Sequence, residues 1–255
     1  MQKLISIDIK ADFGMLKKPD TNEPVYLTFN MLHKPALLGI LGAIIGLEGF
    51  KEKGKLPEYY KELKDLQIGI QPLNHENGNY QKTIIQYNNT TGTASKELGG
   101  NLIVTEQTLI APAFRCYLLL DIENELRQKL DKNLKNGYAE YLPYLGKNEF
   151  SVWWENYEEY KYSPFEVTEK FKIKSIFIKE ETIKDGKLVQ LFMPFMDVTG
   201  DTFSYFERLP VGYNEDLLQY SYEDFAFTDW TLRQTYNTGN YLLLEVNTDE
   251  IIQVF

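Results

Sequence analysis

Apolar and polar positions alternate from the first residues of the chain. Leu4, Ile5, Ile7, Ile9 and Ala11 interleave with Ser6, Asp8 and Lys10, the pattern of a strand with one buried face. A turn-rich loop, FGMLKKPDTN (13–22), follows, and Val25 to Phe29 read as a short strand. Residues 35–47, PALLGILGAIIGL, are too long an apolar run for a strand and predict a buried helix. Pro35 suits its first turn. Gly39, Ala43 and Gly46 fall on one helical face. Helical glycine costs about 1 kcal/mol against alanine, so these glycines predict close approach of another backbone. A second helical stretch, 57–66, leads into a strand at 67–71. The polar excursion 73–108 holds two strand-like pieces, 80–87 and 101–109, around the tip NNTTGTASKELGG. Apolar character resumes in 113–120, and Ile122, Leu126, Leu130 and Leu134 recur every four residues up to Gly137.

With one further strand near 150–154, the order is β-α-β-β-α-β. That is the α+β, ferredoxin-like plan shared by RNA-recognition domains, here with an inserted β-hairpin. The second half predicts a smaller, β-rich part. Phe171, Ile173 and Phe177 alternate with Lys170, Lys172 and Lys174, which predicts a strand with a solvated lysine face. Asp185-Gly186 marks a hairpin turn before 188–195. Aromatics crowd 153–165 and 220–230, where Trp153, Trp154 and Tyr157 read as core or interface, and 241–246 and 251–255 are strand-like. No linker separates the halves, so 1–155 and 156–255 are expected to share an interface.

Composition narrows the function. A chain of 255 residues can bury a substantial core. A single cysteine, Cys116, excludes an internal disulfide and fits a reducing, cytoplasmic setting. With two histidines and that cysteine, a Cys/His-rich zinc site is excluded by counting. The longest apolar run is shorter than the ~20 residues a membrane helix needs, and the N-terminus has no apolar block of a secretory signal. The net charge of −10 argues at first against nucleic acid. Residues 1–136, however, carry 17 basic and 16 acidic side chains, against 10 and 21 in residues 137–255. The excess acid belongs to the second half.

No phosphate loop, dinucleotide fingerprint, nucleophile elbow or HExxH helix occurs. His33 and His75 read as capping or surface residues, and Glu158-Glu159 and Glu180-Glu181 as solvated charge. No cofactor, metal site or catalytic group is expected.

Four stretches, in order, resemble the CRISPR-associated Cas-five family of the RAMP superfamily. They are FGMLKKPDTN (13–22), PALLGILGAIIG (35–46), APAFRCYLLL (111–120), and YLPYLGKNEF (141–150), which looks closest to type I-B members. The resemblance covers about residues 1–155 well and the rest loosely. It implies a subunit of the type I surveillance complex, Cascade. The implied fold is a ferredoxin-like domain with a hairpin thumb at about 73–108, and the implied role is to hold the 5′ handle of the CRISPR RNA. The implied partners are that RNA, the backbone and large subunits, and target DNA within the complex, with no membrane. One branch of the family, type I-C, is instead a metal-independent endoribonuclease using Tyr, Lys and His. Here Lys34 follows His33, the reverse of that branch's Lys-His order.

Elementary chemistry agrees with the role that the resemblance implies, with these residues as its candidate RNA contacts. Gly14 lies in the phenylalanine-glycine loop, and Lys17 and Lys18 behind it could reach phosphates. The start of the 35–47 helix beside His33 and Lys34 is a natural anion site, and small residues from Gly39 onward would admit a backbone. Lys82, Tyr87 and Lys96 lie on the excursion, Lys147 on the leucine-glycine turn. Arg115, alone in an apolar strand, should meet a phosphate or a carboxylate. The plainer alternatives are loop lysines, glycines packed on protein, and an internal ion pair for Arg115. Outside the family, a ferredoxin-like small-molecule binding domain is the remaining reading.

Overall fold

The computed structural model describes residues 1–19, 24–89, 102–179, 181–184, 187–190, 203–232, 241–247 and 250–255. Strand β1 (Gln2–Ala11) is followed by the short β2 (Phe13–Gly14), then helices α1 (Lys34–Ile45) and α2 (Glu58–Leu63). Next come β3 (Gln67–Leu73), the hairpin strands β4 (Lys82–Asn89) and β5 (Leu102–Ile110), and β6 (Ala113–Asp121). Helix α3 (Glu125–Asn136) and β7 (Val152–Tyr160) complete the first part. The main sheet has the order β3-β6-β1-β7, with every neighbour antiparallel. Taken with α1 and α3, this is the βαββαβ ferredoxin-like topology expected from the alternation of periods. Strands β4 and β5, inserted between β3 and β6, pair with each other, and β5 also pairs with β2, forming a separate three-stranded sheet of order β2-β5-β4.

Side chains on β1 sort by parity. Ile5, Ile7 and Ile9 join the main core under the helices, whereas Leu4 joins a second cluster on the other face. Helix α1 is apolar on nearly all sides and is correspondingly buried, packing against α2, α3 and the second part of the chain. Its ends follow the sequence: Pro lies in the first turn and Gly46 closes it at φ 82°. Asn124 caps α3 through Leu126 N–H and Arg127 N–H, and Gly137 ends it at φ 63°. Leu130 and Leu134 on its inner face are fully buried, each contributing about 1.5–3 kcal/mol.

The second part begins with β8 (Tyr162–Pro164) and β9 (Phe177–Ile178), followed by the hairpin β10 (Glu181–Lys184) and β11 (Lys187–Gln190). The remaining strands are β12 (Ser204–Asn214), β13 (Gln219–Thr228), β14 (Leu242–Val246) and β15 (Glu250–Val254). Two three-stranded sheets, β12-β13-β9 and β15-β14-β8, wrap the first part. Leu244, Val246, Ile252 and Val254 cover Leu4, Tyr117 and Leu119 on the back of the main sheet. Leu209 of β12 enters the main core with α1. The backbone passes so close here that a Cβ on Gly69 would lie 2.9 Å from the Gln253 carbonyl oxygen.

Two expectations are corrected, and one strand has no counterpart in the sequence reading. Residues 25–29 form isolated bridges, Lys17 with Thr28 and Tyr26 with Glu106, and no strand, because their edge contacts are split between two segments. Phe171 and Ile173 are buried and Lys170, Lys172 and Lys174 exposed, as alternation predicts. They nonetheless bridge two different partners, Leu232 and Ile251, and so do not form a continuous ladder. The long strand β12 lacked a clean apolar alternation and was not anticipated; its pairing with β13 and packing on α1 create it. The hairpin tip, including Lys96, and the 185–186 turn lie outside the described residues.

Candidate nucleic-acid interface

Three of the four resemblance stretches meet in space. The 13–18 loop and the 141–150 turn interlock: Met15 N–H donates to the Leu145 carbonyl at 3.1 Å. A Cβ on Gly146, whose φ is 85°, would lie 1.9 Å from the Met15 carbonyl oxygen. A Cβ on Gly14 would lie 2.4 Å from Leu145 Cδ2. Gly146 is therefore required by backbone approach and Gly14 by the Leu145 side chain seated against it, which accounts for the Leu-Gly and Phe-Gly pairs. Beside this junction the half-exposed side of α1, with Ala36, Gly39 and Ala43, forms one wall of an open groove of about 650 Å³. The opposite walls come from the base of the β4–β5 hairpin (Tyr87, Glu106), the 141–147 turn and the β12–β13 hairpin (Tyr213, Tyr220).

Aromatic rings dominate the groove. Tyr213 and Tyr220 are stacked, 4.8 Å between centroids and 29° between planes, and Tyr60 meets Tyr213 edge-on. Tyr59 lies against Gly39 and Gly42 of α1, so the helix glycines pack on protein as well as opening the groove. Burial, with Tyr220 nearby, pushes the Tyr59 hydroxyl up to about 12. Burial and the neighbouring Tyr220 and Tyr59 hydroxyls raise Tyr213 as well. None of Phe50, Tyr59, Tyr141, Tyr144, Tyr213 or Tyr220 was singled out from sequence as a binding residue. The only available signal was their aromatic character, which they share with core residues.

The predicted contacts divide into two groups. Gly14, Lys17, His33, Gly39, Tyr87 and Lys147 lie in or beside the groove. Lys17 is exposed, its ammonium 3.7 Å from the centre of the Tyr26 ring. Lys147 contacts Glu106 at 2.7 Å, Glu149 at 3.0 Å and Tyr87 Oη at 3.2 Å. Burial opposes its charge, yet these partners outweigh burial and hold its pKa above the ordinary value.

Lys18, Lys34, Lys82 and Arg115 point elsewhere. Lys18 pairs with Glu207 of β12 at 3.2 Å. The Glu207 carboxylate also accepts the Asn30 and Met31 N–H groups. Lys82 donates to Asn30 Oδ1 at 2.7 Å, so both lysines belong to the seam between the two parts of the chain. Lys34 is buried and donates to the Phe255 carbonyl at 2.9 Å; burial, opposed by Asp65, pushes its pKa down to about 8. Arg115 takes the carboxylate alternative, donating to Asp8 from Nε at 2.7 Å and Nη2 at 3.0 Å.

The start of α1 is closed, which corrects its reading as an open anion site. His33 Nδ1 accepts the Ala36 N–H at 3.4 Å, and its ring packs edge-on against Phe29 and Tyr220. Burial pushes the imidazole pKa down to about 3. Its folded value lies below the ordinary 6.5, so its contribution is fully present above pH 6.5 and lost as pH falls toward 3. Urea unfolding of the wild type should weaken in that window by up to about 1.4 kcal/mol per pH unit through this group. His33→Asn, which keeps a capping acceptor, should show a shallower slope. Identical slopes in the two proteins would contradict this assignment.

His75 accepts the Gly78 N–H at 3.0 Å and packs on Phe203 and Phe227. Among the described residues, no group of three or more His, Cys, Asp or Glu side chains is placed to hold a metal, and no helix is long and apolar enough to cross a membrane.

No family model and no curated protein matches the chain. Solved CRISPR proteins do. One is a CRISPR protein from Archaeoglobus fulgidus, 15% identical, covering 99% of this chain and 98% of its own, with a TM-score of 0.48. A chain of a CRISPR RNA-guided surveillance complex covers 89% of this chain and 90% of its own at 10% identity and a TM-score of 0.46. A chain of the Type III-B Cmr-beta complex bound to cognate target RNA covers 90% and 86% at 11% identity and a TM-score of 0.48.

Proposed function

We propose that this chain is a non-catalytic, RNA-binding subunit of a type I CRISPR surveillance complex, of the I-B kind, and that its groove seats the 5′ handle of the CRISPR RNA. The observation that carries the reading is convergence. The loop 13–18, helix 35–46 and turn 141–150, recognised separately in the sequence, surround one aromatic groove. Unpaired RNA is recognised by splayed bases stacked on aromatic side chains, and such a groove offers those surfaces. On this reading the β4–β5 hairpin beside the groove serves as the thumb toward neighbouring backbone and large subunits. Both histidines act as hydrogen-bond acceptors to backbone N–H groups within aromatic packing, a structural use that favours the non-catalytic reading.

Gly39→Leu tests the groove. A Cβ at Gly39 makes only ordinary contacts, 3.7–3.8 Å to the Tyr59 ring, so the helix should accept it while the longer side chain enters the groove. Co-purification of repeat-derived RNA with the assembled complex should fall at least about tenfold, as expected when one stacked base is lost. Undiminished RNA with a folded variant would sink the assignment. Repeat RNA incubated with the purified chain in EDTA should stay intact; clean cleavage would favour the endoribonuclease alternative.

A further inference from the structure

We infer that Glu207, on β12 and away from the groove, is a positioning residue for it: through this carboxylate the β-rich second part sets how the groove's walls are arranged. This rests on the RNA-binding reading above and names the residue that fixes the geometry of that site.

Glu207 places a carboxylate where water is scarce, its side chain 7% exposed. The Asn30 N–H donates to both of its oxygens at 3.1 and 3.2 Å, and the Met31 N–H to one of them at 3.1 Å. Lys18 brings the opposite charge to 3.2 Å. These donors belong to the first part of the chain. Asn30 carries the link one step further. Its Nδ2 donates to the Gly78 carbonyl at 2.9 Å, and its Oδ1 accepts the Tyr80 N–H at 3.1 Å and Lys82 Nζ at 2.7 Å. The turn at Gly78 is seated on the same strand as Glu207, since a Cβ there would lie 2.5 Å from Tyr205 Cβ.

The segments tied together in this way are those that build the groove. Lys18 follows the lining residue Lys17, and Asn30 and Met31 lead into His33 at the start of α1. Lys82 opens β4, which carries Tyr87, and β12 itself runs on to Tyr213. A seam that only joined the two parts could be apolar throughout, as it is where Leu209 enters the main core. A buried carboxylate is costly unless paired, but its directed hydrogen bonds fix one arrangement where apolar contacts tolerate sliding. Lys18 and Lys82 therefore act on RNA through Glu207 and Asn30, not by reaching phosphate.

Glu207→Gln separates the two roles by sign, because it keeps an acceptor oxygen and removes the charge. If Lys18 were a phosphate contact, losing its carboxylate would free the ammonium and tighten RNA binding. As a positioning residue, Glu207 should instead show a loss of about two- to thirtyfold in the affinity of the full chain, alone or assembled, for repeat-derived RNA, counted per folded molecule. Lys18→Met should weaken binding without changing the log–log salt slope, and the double variant should be no worse than the poorer single one, since both break one link. Hydrogen exchange in the RNA-free protein should quicken at Asn30, Met31 and Tyr80 in Glu207→Gln. Arg115→Met, destabilised away from the seam, should bind RNA normally once folded and so controls for general loss of stability. Unchanged or tighter binding by folded Glu207→Gln overturns the positioning inference and leaves the RNA-binding reading standing. So does a salt slope shallower by about 0.7, the single-strand value for one phosphate, in Lys18→Met, a result that decides the matter even if Glu207→Gln does not fold. Absence of RNA binding by the wild type, alone and assembled, overturns both.

Discussion

Arg115→Met should destabilise the protein by about 3–5 kcal/mol at neutral pH, measured by urea unfolding, while leaving RNA binding by the folded fraction unchanged. The Asp8 side chain is 4% exposed, and Arg115 supplies two of its three side-chain hydrogen bonds; Asn156 Nδ2 supplies the third at 2.9 Å. Burial works to raise the Asp8 pKa, but Arg115 and Asn156 outweigh it and hold the carboxyl below its usual range. Because the folded value is lowered, the wild-type contribution is present above the unfolded carboxyl pKa and lost as pH falls through the folded one. In Arg115→Met the imbalance reverses: burial prevails and Asp8 favours its protonated form. The gap between variant and wild type should therefore narrow steadily as pH is lowered, and a gap independent of pH would rule out Asp8 as its cause. A double variant, Asp8→Leu with Arg115→Met, should recover much of the loss, since exchanging both members of a buried pair for apolar groups is often nearly neutral. A severe loss of RNA binding by folded Arg115→Met would instead restore this residue as a phosphate contact.

The second large effect is expected at Gly146. Gly146→Ala places a side chain at φ 85° and a Cβ 1.9 Å from the Met15 carbonyl oxygen, with the Met15 carbonyl carbon at 2.7 Å. The obstructing atoms are backbone, so no rotamer change relieves them, and the two loops must part. Backbone strain of this kind costs about 1–3 kcal/mol before the displaced Met15–Leu145 hydrogen bond is counted. A total of about 2–4 kcal/mol is expected in the same unfolding assay. Gly14→Ala should cost less, because its obstacle is the end of the Leu145 side chain. Gly49→Ala, with no atom within 4 Å of its Cβ and an ordinary φ, serves as the neutral control. The ranking Gly146 over Gly14 over Gly49 follows from geometry alone, and any other order would contradict the interlocked loops. RNA binding should decline in the same order, since the junction shapes one end of the groove.

These two sites show where sequence and structure part. The period of Leu4–Ala11, the small-residue helix with Pro35 at its start and Gly46 at its end, and the i, i+4 leucines before Gly137 were legible because local spacing sets which face is buried. Alternating strand and helix periods then led to the ferredoxin-like order, and the inserted hairpin announced itself by its polar tip between two apolar pieces.

Long-range choices were beyond the same reasoning. A lysine has the same local signature whether it faces solvent or a carboxylate far along the chain. Only the fold shows that Lys18 meets Glu207, Lys82 meets Asn30 and Arg115 meets Asp8, while Lys17 lies over the Tyr26 ring at the groove. Aromatics are equally silent: Phe114 is a core ring and Tyr141 a groove rim, with nothing local to separate them.

By itself, then, the sequence determined the elements, their order and the stretches that matter, because backbone propensity and hydrophobic period act over a few residues. The tertiary structure decided which charges are spent on internal pairs and which rings remain open, because burial and ion pairing depend on segments that meet only when the chain is folded.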